Sequence, residues 1–435
     1  MNKKRLLIVI LALTLSMILV GWLSFFTRVF SRSGSLEPVQ VYFADNISYS
    51  RQLVIEEFNR MNRGKIEVIP VNLPFEKFST NERKELLTRS LRSKSDIDLF
   101  AVDLIWVPRF ARWSEPLDKY FSRAEKERLL SYALESCTYD QILVAMPMYI
   151  DVGLMYYRKD IIRRLPNGKE FEQRLQSSLT WNEMLKIRKQ LHYETKPFYI
   201  FQAKDYEGLV CNFFELAVGR NPDFFKNHSM PLTSPASEEA LSTLVGFVKT
   251  GVSPIAVLDF EENLSYAYML DHDGVFVRGW PNFVENFSRF YPDTVKLANV
   301  GRAPLPHFNG EKPTSVFGGW NLMVSKSSRK KEAAVEFIRF LQSDHIQRFL
   351  FEQSGYMPVV NSVYQDSVFL VSHPELTFYK KIMQNGFHRP ALVEYTKTSN
   401  IISHFIHLAI KQDLSVKEAL QQANAMIQSN TVLIK

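Results

Sequence analysis

The chain is poor in cysteine, with only Cys137 and Cys211 among its 435 residues. Two thiols cannot build the dense disulfide framework on which small secreted domains depend, so the fold must rest on a hydrophobic core. The spacing of the two cysteines does not require a bond between them, although an oxidising compartment would permit one. We expect two separate buried thiols.

The sequence also lacks the short motifs that cradle phosphate, bind dinucleotides or hold catalytic zinc. It contains no Gly-x-x-x-x-Gly-Lys, Gly-x-Gly-x-x-Gly, His-Glu-x-x-His or Gly-x-Ser-x-Gly. His404 and His407 have helical spacing, but their helix is otherwise apolar, which favours packing or surface roles. The stretch from Asp271 to Asp273 is typical of a solvated turn. We therefore predict no metal or other cofactor, and no enzymatic activity; a glycoside-processing enzyme is an alternative that no motif supports.

Long runs of a single charge are absent as well. The net charge of +7 arises largely from basic residues that flank the N-terminal apolar run: Lys3, Lys4, Arg5, Arg28 and Arg32. The other basic residues alternate with acidic ones and form no stripe of the kind that nucleic-acid binding requires. Nucleic acid is therefore not an expected partner.

One long uncharged segment is present, from Leu6 to Phe26. It is long enough to cross a hydrocarbon core of ~30 Å as a helix, and the basic residues before it place the N-terminus in the cytoplasm. We predict a transmembrane signal anchor over residues 1–30 and a tether over 31–38. The remainder of the chain should lie outside the cytoplasm, in the periplasm or at the cell surface. The alternatives are a secretory signal cleaved near residues 31–35 and, less favoured, a cytoplasmic protein.

The segment from Leu19 to Trp22 resembles the lipobox of bacterial lipoproteins, with tryptophan in place of the lipidated cysteine. Without that thiol no thioether lipid can form. The resemblance thus favours anchoring of the protein in the inner or cytoplasmic membrane by its own helix.

After the tether, strand and helix patterns alternate. Strands are predicted over 39–43, 66–71 and 97–107, and helices over 46–64 and 82–92. This alternation is typical of a parallel α/β sheet, in which ligands bind beyond the carboxyl ends of the strands. Asp45 and the segment from Asp103 to Trp106 follow such ends and should face one crevice. Thr180 with Glu183 forms a predicted capping box, and Ser415 is predicted to begin the last helix.

Several segments, in order along the chain, resemble the family 1 extracellular solute-binding proteins of ABC importers, especially the maltose- and trehalose-binding group. These segments are residues 103–111, 115–118, 147–160, 279–281, 317–326 and 354–359, followed by Arg389, Pro390 and Tyr395. The match over 147–160 is the most specific. Residues 282 and 283 depart from the aromatic-rich form expected after the Trp-Pro pair.

The resemblance implies an α/β fold of the periplasmic-binding-protein type II, with two discontinuous lobes and a ligand cleft between them. Lobe 1 is predicted to comprise residues 39–147 and 301–344, and lobe 2 residues 148–300 and 345–435. The chain should cross between the lobes near 146–150, 298–304 and 342–346. Closure about these crossings would be a shift in population that the ligand stabilises.

The resemblance also implies a set of ligand-binding residues. Trp280 and Trp320 would stack on sugar rings, and Asp103 and Asp151, beside Tyr149, would accept hydrogen bonds from hydroxyl groups. Each residue has a structural alternative: core packing for the tryptophans, a turn or helix cap for the aspartates, and a surface ion pair for Arg389. The full predicted set is Trp280, Trp320, Asp151, Tyr149, Asp103, Arg389, Gly319, Trp106 and Asp45.

The predicted function is capture of a carbohydrate-like ligand by lobe closure, and its delivery to the permease subunits of an ABC importer. A membrane-tethered sensor subunit, which reports its ligand to a signalling partner such as a sensor kinase, is the alternative from another class. The missing lipobox cysteine and the departure after Trp280 are the observations that keep this alternative open.

Overall fold

The structure is a computed structural model and describes residues 14, 16–22, 37–74 and 80–429. Most of the predicted anchor and tether lies outside these residues. Within the anchor, residues 16–22 are helical and exposed. No helix among the described residues is long and apolar enough to cross a membrane.

Strands and helices are numbered here in chain order. The strands are β1 (Val39–Asp45), β2 (Ile66–Asn72), β3 (Leu99–Asp103), β4 (Thr138–Tyr139), β5 (Ile142–Leu143), β6 (Met146–Val152), β7 (Leu154–Arg158), β8 (Tyr199–Ile200), β9 (Phe276–Gly279), β10 (Val300–Ala303), β11 (Ser315–Val324) and β12 (Gly386–Phe387). The α-helices are α1 (Tyr49–Met61), α2 (Thr80–Arg92), α3 (Val107–Phe110), α4 (Arg123–Glu127), α5 (Ser131–Glu135), α6 (Lys159–Ile162), α7 (Gly168–Leu175), α8 (Trp181–Gln190), α9 (Glu207–Arg220), α10 (Pro235–Lys249), α11 (Glu262–Asp271), α12 (Phe283–Phe287), α13 (Thr294–Ala298), α14 (Lys331–Leu341), α15 (Asp344–Ser354), α16 (Ser367–Ser372), α17 (Glu375–Met383), α18 (Tyr395–Ile410) and α19 (Val416–Gln428). Short 3-10 helices cover Leu104–Trp106, Ala111–Trp113, Lys226–His228, Ile255–Asp259 and Asn361–Tyr364.

The first sheet has the strand order β12-β11-β3-β1-β2, and β6 also pairs with β11. Strand β1 runs parallel to β2 and β3, as the alternating pattern predicts. Strand β11 instead runs antiparallel to β3 and to β6, so the sheet is mixed. Because β11 lies between these two strands, it aligns residues from widely separated parts of the chain.

The second sheet has the order β10-β7-β9-β8. Strand β7 is antiparallel to both β10 and β9, and β8 runs parallel to β9. Its core includes the rings of Tyr156 and Tyr266, which lie 4.9 Å and 4.1 Å from the ring of Phe283. Burial of such large apolar surfaces is the main stabilising contribution to each sheet.

The chain passes directly from the first sheet to the second at Gly153, the single residue between β6 and β7. It returns to the first sheet between β10 and β11. The lobe boundaries stay a prediction, although β6 continues in the first sheet to Val152, beyond the boundary predicted at residue 147.

Two expectations about the first sheet are wrong in detail. The apolar run over 97–107 is not one strand, because β3 ends at Asp103, whose carboxylate accepts a hydrogen bond from the Ile105 amide at 3.1 Å and starts a 3-10 helix. The spacing of Leu53, Val54, Phe58 and Met61 predicts that these residues form the buried face of the first helix, but Met61 is 62% exposed, and Ile55 is buried instead. The capping box at Thr180 is confirmed, and so is Ser415 as the start of the last helix, where it also forms a capping box with Glu418.

Cys137 and Cys211 are buried and free, which confirms the expectation of two separate thiols. Burial raises the pKa of both thiols, so neither is predisposed to react as a thiolate. Their role is that of small apolar side chains in the core.

Gly153 offers a test of how tightly the passage between the sheets is packed. A Cβ atom at this position would lie 2.0 Å from Glu215 Oε1 and 2.9 Å from Arg278 Nη2. We expect Gly153→Ala to lower the free energy of unfolding by ~2 kcal/mol, since overpacking of a close-packed interior forces buried groups apart. Denaturant titration measures this value.

Gly246→Ala is the matched control, because Gly246 lies within α10 and a Cβ there would meet nothing within 4 Å. That change should raise stability by about 0.5–1 kcal/mol, as alanine is the better helix former. Equal stability of the two variants would show that Glu215 can move aside at no cost.

Candidate functional site

The register of β11 brings the predicted residues together. Trp320 lies opposite Asp103 on β3 and opposite Tyr149 on β6, and Gly318 lies opposite Asp151. Gly319 has φ +124°, and a Cβ there would lie 2.5 Å from the carbonyl oxygen of Tyr149. Only glycine adopts this backbone without strain, so Gly319 allows the close pairing of β11 with β6.

Asp45 ends β1 and is 1% exposed. Its Oδ2 lies 2.6 Å from Arg51 Nη1, and its Oδ1 lies 3.6 Å from Arg83 Nη2. Burial raises the pKa of Asp45, while the charges of Arg51 and Arg83 oppose the rise. Asp45 therefore supports two arginines and does not present a free carboxylate to a ligand.

The two arginines cover the rings of Tyr149 and Trp320, which belong to the predicted ligand-binding set, and that of Tyr356, which does not. The guanidinium carbon of Arg51 lies 5.4 Å from the ring centre of Tyr149 and 4.7 Å from that of Tyr356. The guanidinium carbon of Arg83 lies 4.5 Å from the ring centre of Trp320. One face of Trp320 is thus occupied by a cation, at a distance typical of cation–π attraction.

Trp106 is buried and meets Trp320 edge to face, with ring centres 5.7 Å apart. Trp106 also packs against the ring of Phe110, and its side chain is almost completely buried, so it has no surface available to a ligand. Its position is that of a support for Trp320, which is itself 8% exposed.

Sequence reasoning missed Arg51, Arg83 and Tyr356 as members of this cluster. The role of Arg51 could have been predicted from its position, because it lies in the first turn of α1, which contains no acidic residue. A cation is unfavourable at the positive end of a helix, so an arginine there without a nearby acid points to a partner elsewhere in the fold. Arg83 lies in the first turns of α2, next to the same edge of the sheet.

Asp103 and Asp151 lie on the strands that flank β11. Burial raises the pKa of Asp103 to about 6, although Arg389 partly opposes this effect. Burial, reinforced by the charge of Asp103, raises the pKa of Asp151 to about 7. Among the described residues, no hydrogen-bond donor reaches the buried Oδ1 of Asp151. An unpartnered buried acceptor is the group that a ligand hydroxyl would satisfy.

Arg389 is buried, not on the surface as its structural alternative required. Its Nη1 lies 2.5 Å from Glu207 Oε1, and its Nη2 donates to the carbonyl oxygen of Phe317 on β11 at 3.2 Å. Glu207 also accepts from the Tyr395 hydroxyl at 2.8 Å and from the Ser399 hydroxyl. These contacts hold Arg389 against the strand that carries Trp320.

Trp280 follows β9 of the second sheet and is half-buried. Its Nε1 donates to Glu262 Oε1 at 3.3 Å, and its backbone amide donates to the Tyr266 hydroxyl at 2.9 Å. The Arg278 guanidinium carbon lies 4.0 Å from the ring centre. A Cβ atom added at Gly318 would lie 3.0 Å from the edge of the ring. Trp280 of the second sheet therefore meets β11 of the first.

The histidine pair on α18 has protein partners. His404 Nδ1 lies 3.2 Å from Asp205 Oδ2, and His407 Nδ1 lies 2.8 Å from the carbonyl oxygen of Ala203. Asp273, in the turn after α11, pairs with Arg158 and Lys296. Within the described ranges no group of three or more His, Cys, Asp or Glu side chains is arranged to hold a metal ion.

The raised pKa of Asp151 predicts how stability depends on pH. A carboxyl group that holds its proton more tightly in the folded state destabilises the fold as pH rises from about 4 to about 7. We expect Asp151→Asn to be more stable than wild type by a few kcal/mol at pH 8, and equally stable at pH 4. Urea unfolding at a series of pH values measures the difference.

Asp259→Asn is the control for this experiment, because Asp259 is exposed. At each pH its free energy of unfolding should lie within about 0.5 kcal/mol of the wild-type value, as is usual for a substitution on the surface. An Asp151→Asn curve that also runs parallel to wild type would show that Asp151 is ionised in the folded protein at no cost.

Comparison with known proteins places this geometry in a family. The sequence profile of bacterial extracellular solute-binding proteins matches residues 42–348. A probable ABC transporter-binding protein of Deinococcus radiodurans is 26% identical over 366 residues, which cover 82% of this chain and 84% of the relative.

Solved structures agree with the sequence comparison. The maltose-bound protein MalE3 of T. maritima has a TM-score of 0.79 and 26% identity, over 90% of this chain and 100% of its own. A solute-binding protein of Thermotoga lettingae, solved with alpha-D-tagatose, has a TM-score of 0.76 and 20% identity, over 90% of this chain and 99% of its own. The mixed α/β fold is thus that of two-lobed binding proteins. The chain belongs to the family of bacterial extracellular solute-binding proteins, and it is a solute-binding protein of ABC transporters.

Proposed function

We propose that the protein captures a carbohydrate between its two lobes and presents it to the permease of an ABC importer. The observation that carries the proposal is the buried, unpartnered Oδ1 of Asp151, on a strand that faces Trp280 across the junction of the sheets. A sugar can make both contacts, because its hydroxyl groups can donate to the carboxyl oxygen and its C–H faces can pack on the indole ring.

The proposed contacts divide between the two sheets. Asp103, Asp151, Tyr149, Gly319, Trp320 and Arg389 belong to or pack against the first sheet, and Trp280 extends from the second. Trp106 and Asp45 lie too deep for direct contact and support Trp320 and the arginines. The bound ligands of MalE3 and the Thermotoga lettingae protein, maltose and tagatose, support a sugar as the ligand class.

We further propose that lobe 1 comprises residues 39–147 and 301–344, that lobe 2 comprises residues 148–300 and 345–435, and that closure of the lobes buries the ligand. The contact between Trp280 and Gly318 supports this arrangement, because it joins residues of different sheets at the edge of the site. A sugar that bridges the two sides would stabilise the closed state by its differential affinity for it.

The protein acts outside the cytoplasm, as its family implies, and we propose that the uncharged N-terminal segment anchors it in the membrane. The absence of cysteine at position 22 supports a helical anchor in preference to a lipid. Transport, not sensing, is the favoured role because the relatives are transporter components.

A thermal-shift screen against mono- and oligosaccharides tests the ligand class. A sugar that binds only the folded protein raises the melting temperature, by an amount that grows with its concentration above Kd. We expect a maltodextrin or a related sugar to do so. If amino acids, peptides or polyols shift the melting temperature and no sugar does, the carbohydrate assignment is wrong.

Trp280→Ala should weaken binding of that sugar about five- to thirtyfold in calorimetry, since loss of an aromatic face that packs on a sugar is expected to cost on the order of 1–2 kcal/mol. Trp320→Ala should also weaken binding, because it removes the ring against which the Arg83 guanidinium packs. Trp113→Ala is the control: it removes a tryptophan that packs on Phe110, outside the site. Unchanged affinity in both site variants would remove the site assignment.

The anchor predicts that the full chain, produced in a bacterial host, stays in the membrane fraction after alkaline carbonate extraction and keeps its N-terminus. A chain that starts at residue 37 should leave that fraction. A mature N-terminus near residues 31–35 would instead establish the cleaved secretory signal.

A further inference from the structure

We infer that the buried pair Glu215–Arg278 is a positioning device that couples the passage between the sheets to the orientation of Trp280. The inference rests on the proposed function for the role of Trp280 in ligand binding. The coupling itself is a property of the ligand-free protein and is tested there.

The two members of the pair are held together by a bidentate interaction. Arg278 Nη2 donates to Glu215 Oε1 at 2.8 Å, and Arg278 Nε donates to Glu215 Oε2 at 3.1 Å. Their side chains are 0% and 6% exposed. A buried ion pair often contributes no more to the free energy of unfolding than apolar residues of similar volume would. The bidentate geometry therefore points to a role in fixing the position of a neighbouring side chain.

The group that Arg278 holds is the indole of Trp280. The guanidinium carbon lies 4.0 Å from the ring centre, the shortest of the arginine–aromatic distances given above. The Nε and Nη2 edge of the guanidinium is fixed by the Glu215 carboxylate, and the guanidinium plane covers the Trp280 ring. The remaining nitrogen, Nη1, is buried and has no hydrogen-bond partner among the described residues. With one indole face covered, only the opposite face can stack on a ligand.

Glu215 also contacts both places where the chain passes between the sheets, namely between β6 and β7 and between β10 and β11. At the first passage, the Cβ that Gly153 lacks would lie 2.0 Å from Glu215 Oε1. At the second, the backbone amide of Val316 donates to Glu215 Oε1 at 3.4 Å, and the Thr314 hydroxyl donates to the Glu215 carbonyl oxygen at 2.8 Å. Gly153 in turn donates its amide to the carbonyl oxygen of Val316 at 3.0 Å.

The Glu215 carboxylate therefore lies at the two chain passages between the sheets, which are among the segments about which the lobes would close. Through Arg278, the same carboxylate sets the plane of the Trp280 ring. A shift of the passages relative to α9, which carries Glu215, would move the guanidinium and tilt the indole. Closure and presentation of the stacking face would then occur together. This coupling makes Glu215 and Arg278 positioning residues, since neither is proposed to touch the ligand.

The test uses the double variant Glu215→Gln/Arg278→Met, which removes both charges and leaves neither buried and unpaired. The matched control is Arg158→Met/Asp160→Asn, because Arg158 is a buried arginine of the same sheet and its Nη2 lies 2.7 Å from Asp160 Oδ2. Arg158 is at the end of β7 remote from Gly153. The control also breaks the ion pair of Arg158 with Asp273, so it removes at least as many ion pairs as the site variant does.

The first measurement is acrylamide quenching of tryptophan fluorescence without ligand. The Trp280 component is the difference between each protein and the same protein carrying Trp280→Phe. We expect the quenching constant of that component to rise at least twofold in Glu215→Gln/Arg278→Met and to stay within a quarter of the wild-type value in the control. Gly153→Ala, which displaces Glu215 from the side of the passage, should raise it as well, and Gly246→Ala should not.

The second measurement is affinity for the sugar found in the thermal-shift screen. The site double variant should bind at least tenfold more weakly than wild type, and the control within twofold. An unchanged Trp280 component in Glu215→Gln/Arg278→Met, or an equal change in the control, overturns the inference. A screen in which no sugar binds wild type overturns the proposed function alone, because the quenching result is independent of any ligand.

Discussion

The pairing of β11 with β3 on one side and β6 on the other is the constraint on which the site depends. Each hydrogen-bonded register fixes which side chains are neighbours, and a slip of one residue would turn every side chain to the opposite face. Because β11 is near residue 320 and its partners are near residues 100 and 150, this ladder joins three distant parts of the chain. The carboxyl groups of Asp103 and Asp151 are brought within electrostatic reach of each other only by that pairing.

Buried arginines fix the positions of the aromatic rings in the site. Arg51, Arg83, Arg278 and Arg389 all lie in the interior, where an unpaired ion would be costly, and each lies against a carboxylate and an aromatic ring. The guanidinium group suits this arrangement because its edge donates to a carboxylate while its face covers a ring. The aromatic residues therefore have fixed orientations before any ligand arrives, which lowers the entropy lost on binding.

The ordered motifs and the strand and helix periodicity were enough to predict the α/β class, the parallel pairing of β1 with β2 and β3, the capping box at Thr180 and the start of the last helix at Ser415. They failed where a polar side chain overrides a local apolar pattern. Asp103 ends β3 inside a run that reads as one strand, because its carboxylate satisfies the Ile105 amide and turns the backbone. The ligand-contacting roles of the predicted residues remain proposals.

The amino-acid pattern alone was enough to identify the polar residues at the strand ends, the helix starts at Thr180 and Ser415, and the resemblance to the family to which the chain belongs. These properties depend on neighbours within a few positions, or on motifs that are read directly. The folded chain was needed to reveal that Arg83 covers Trp320, that Trp106 packs against the same ring, and that Arg278 lies between Glu215 and Trp280. Such contacts join residues up to hundreds of positions apart, and no local propensity specifies them, because they follow from strand register and from the need of every buried charge for a partner.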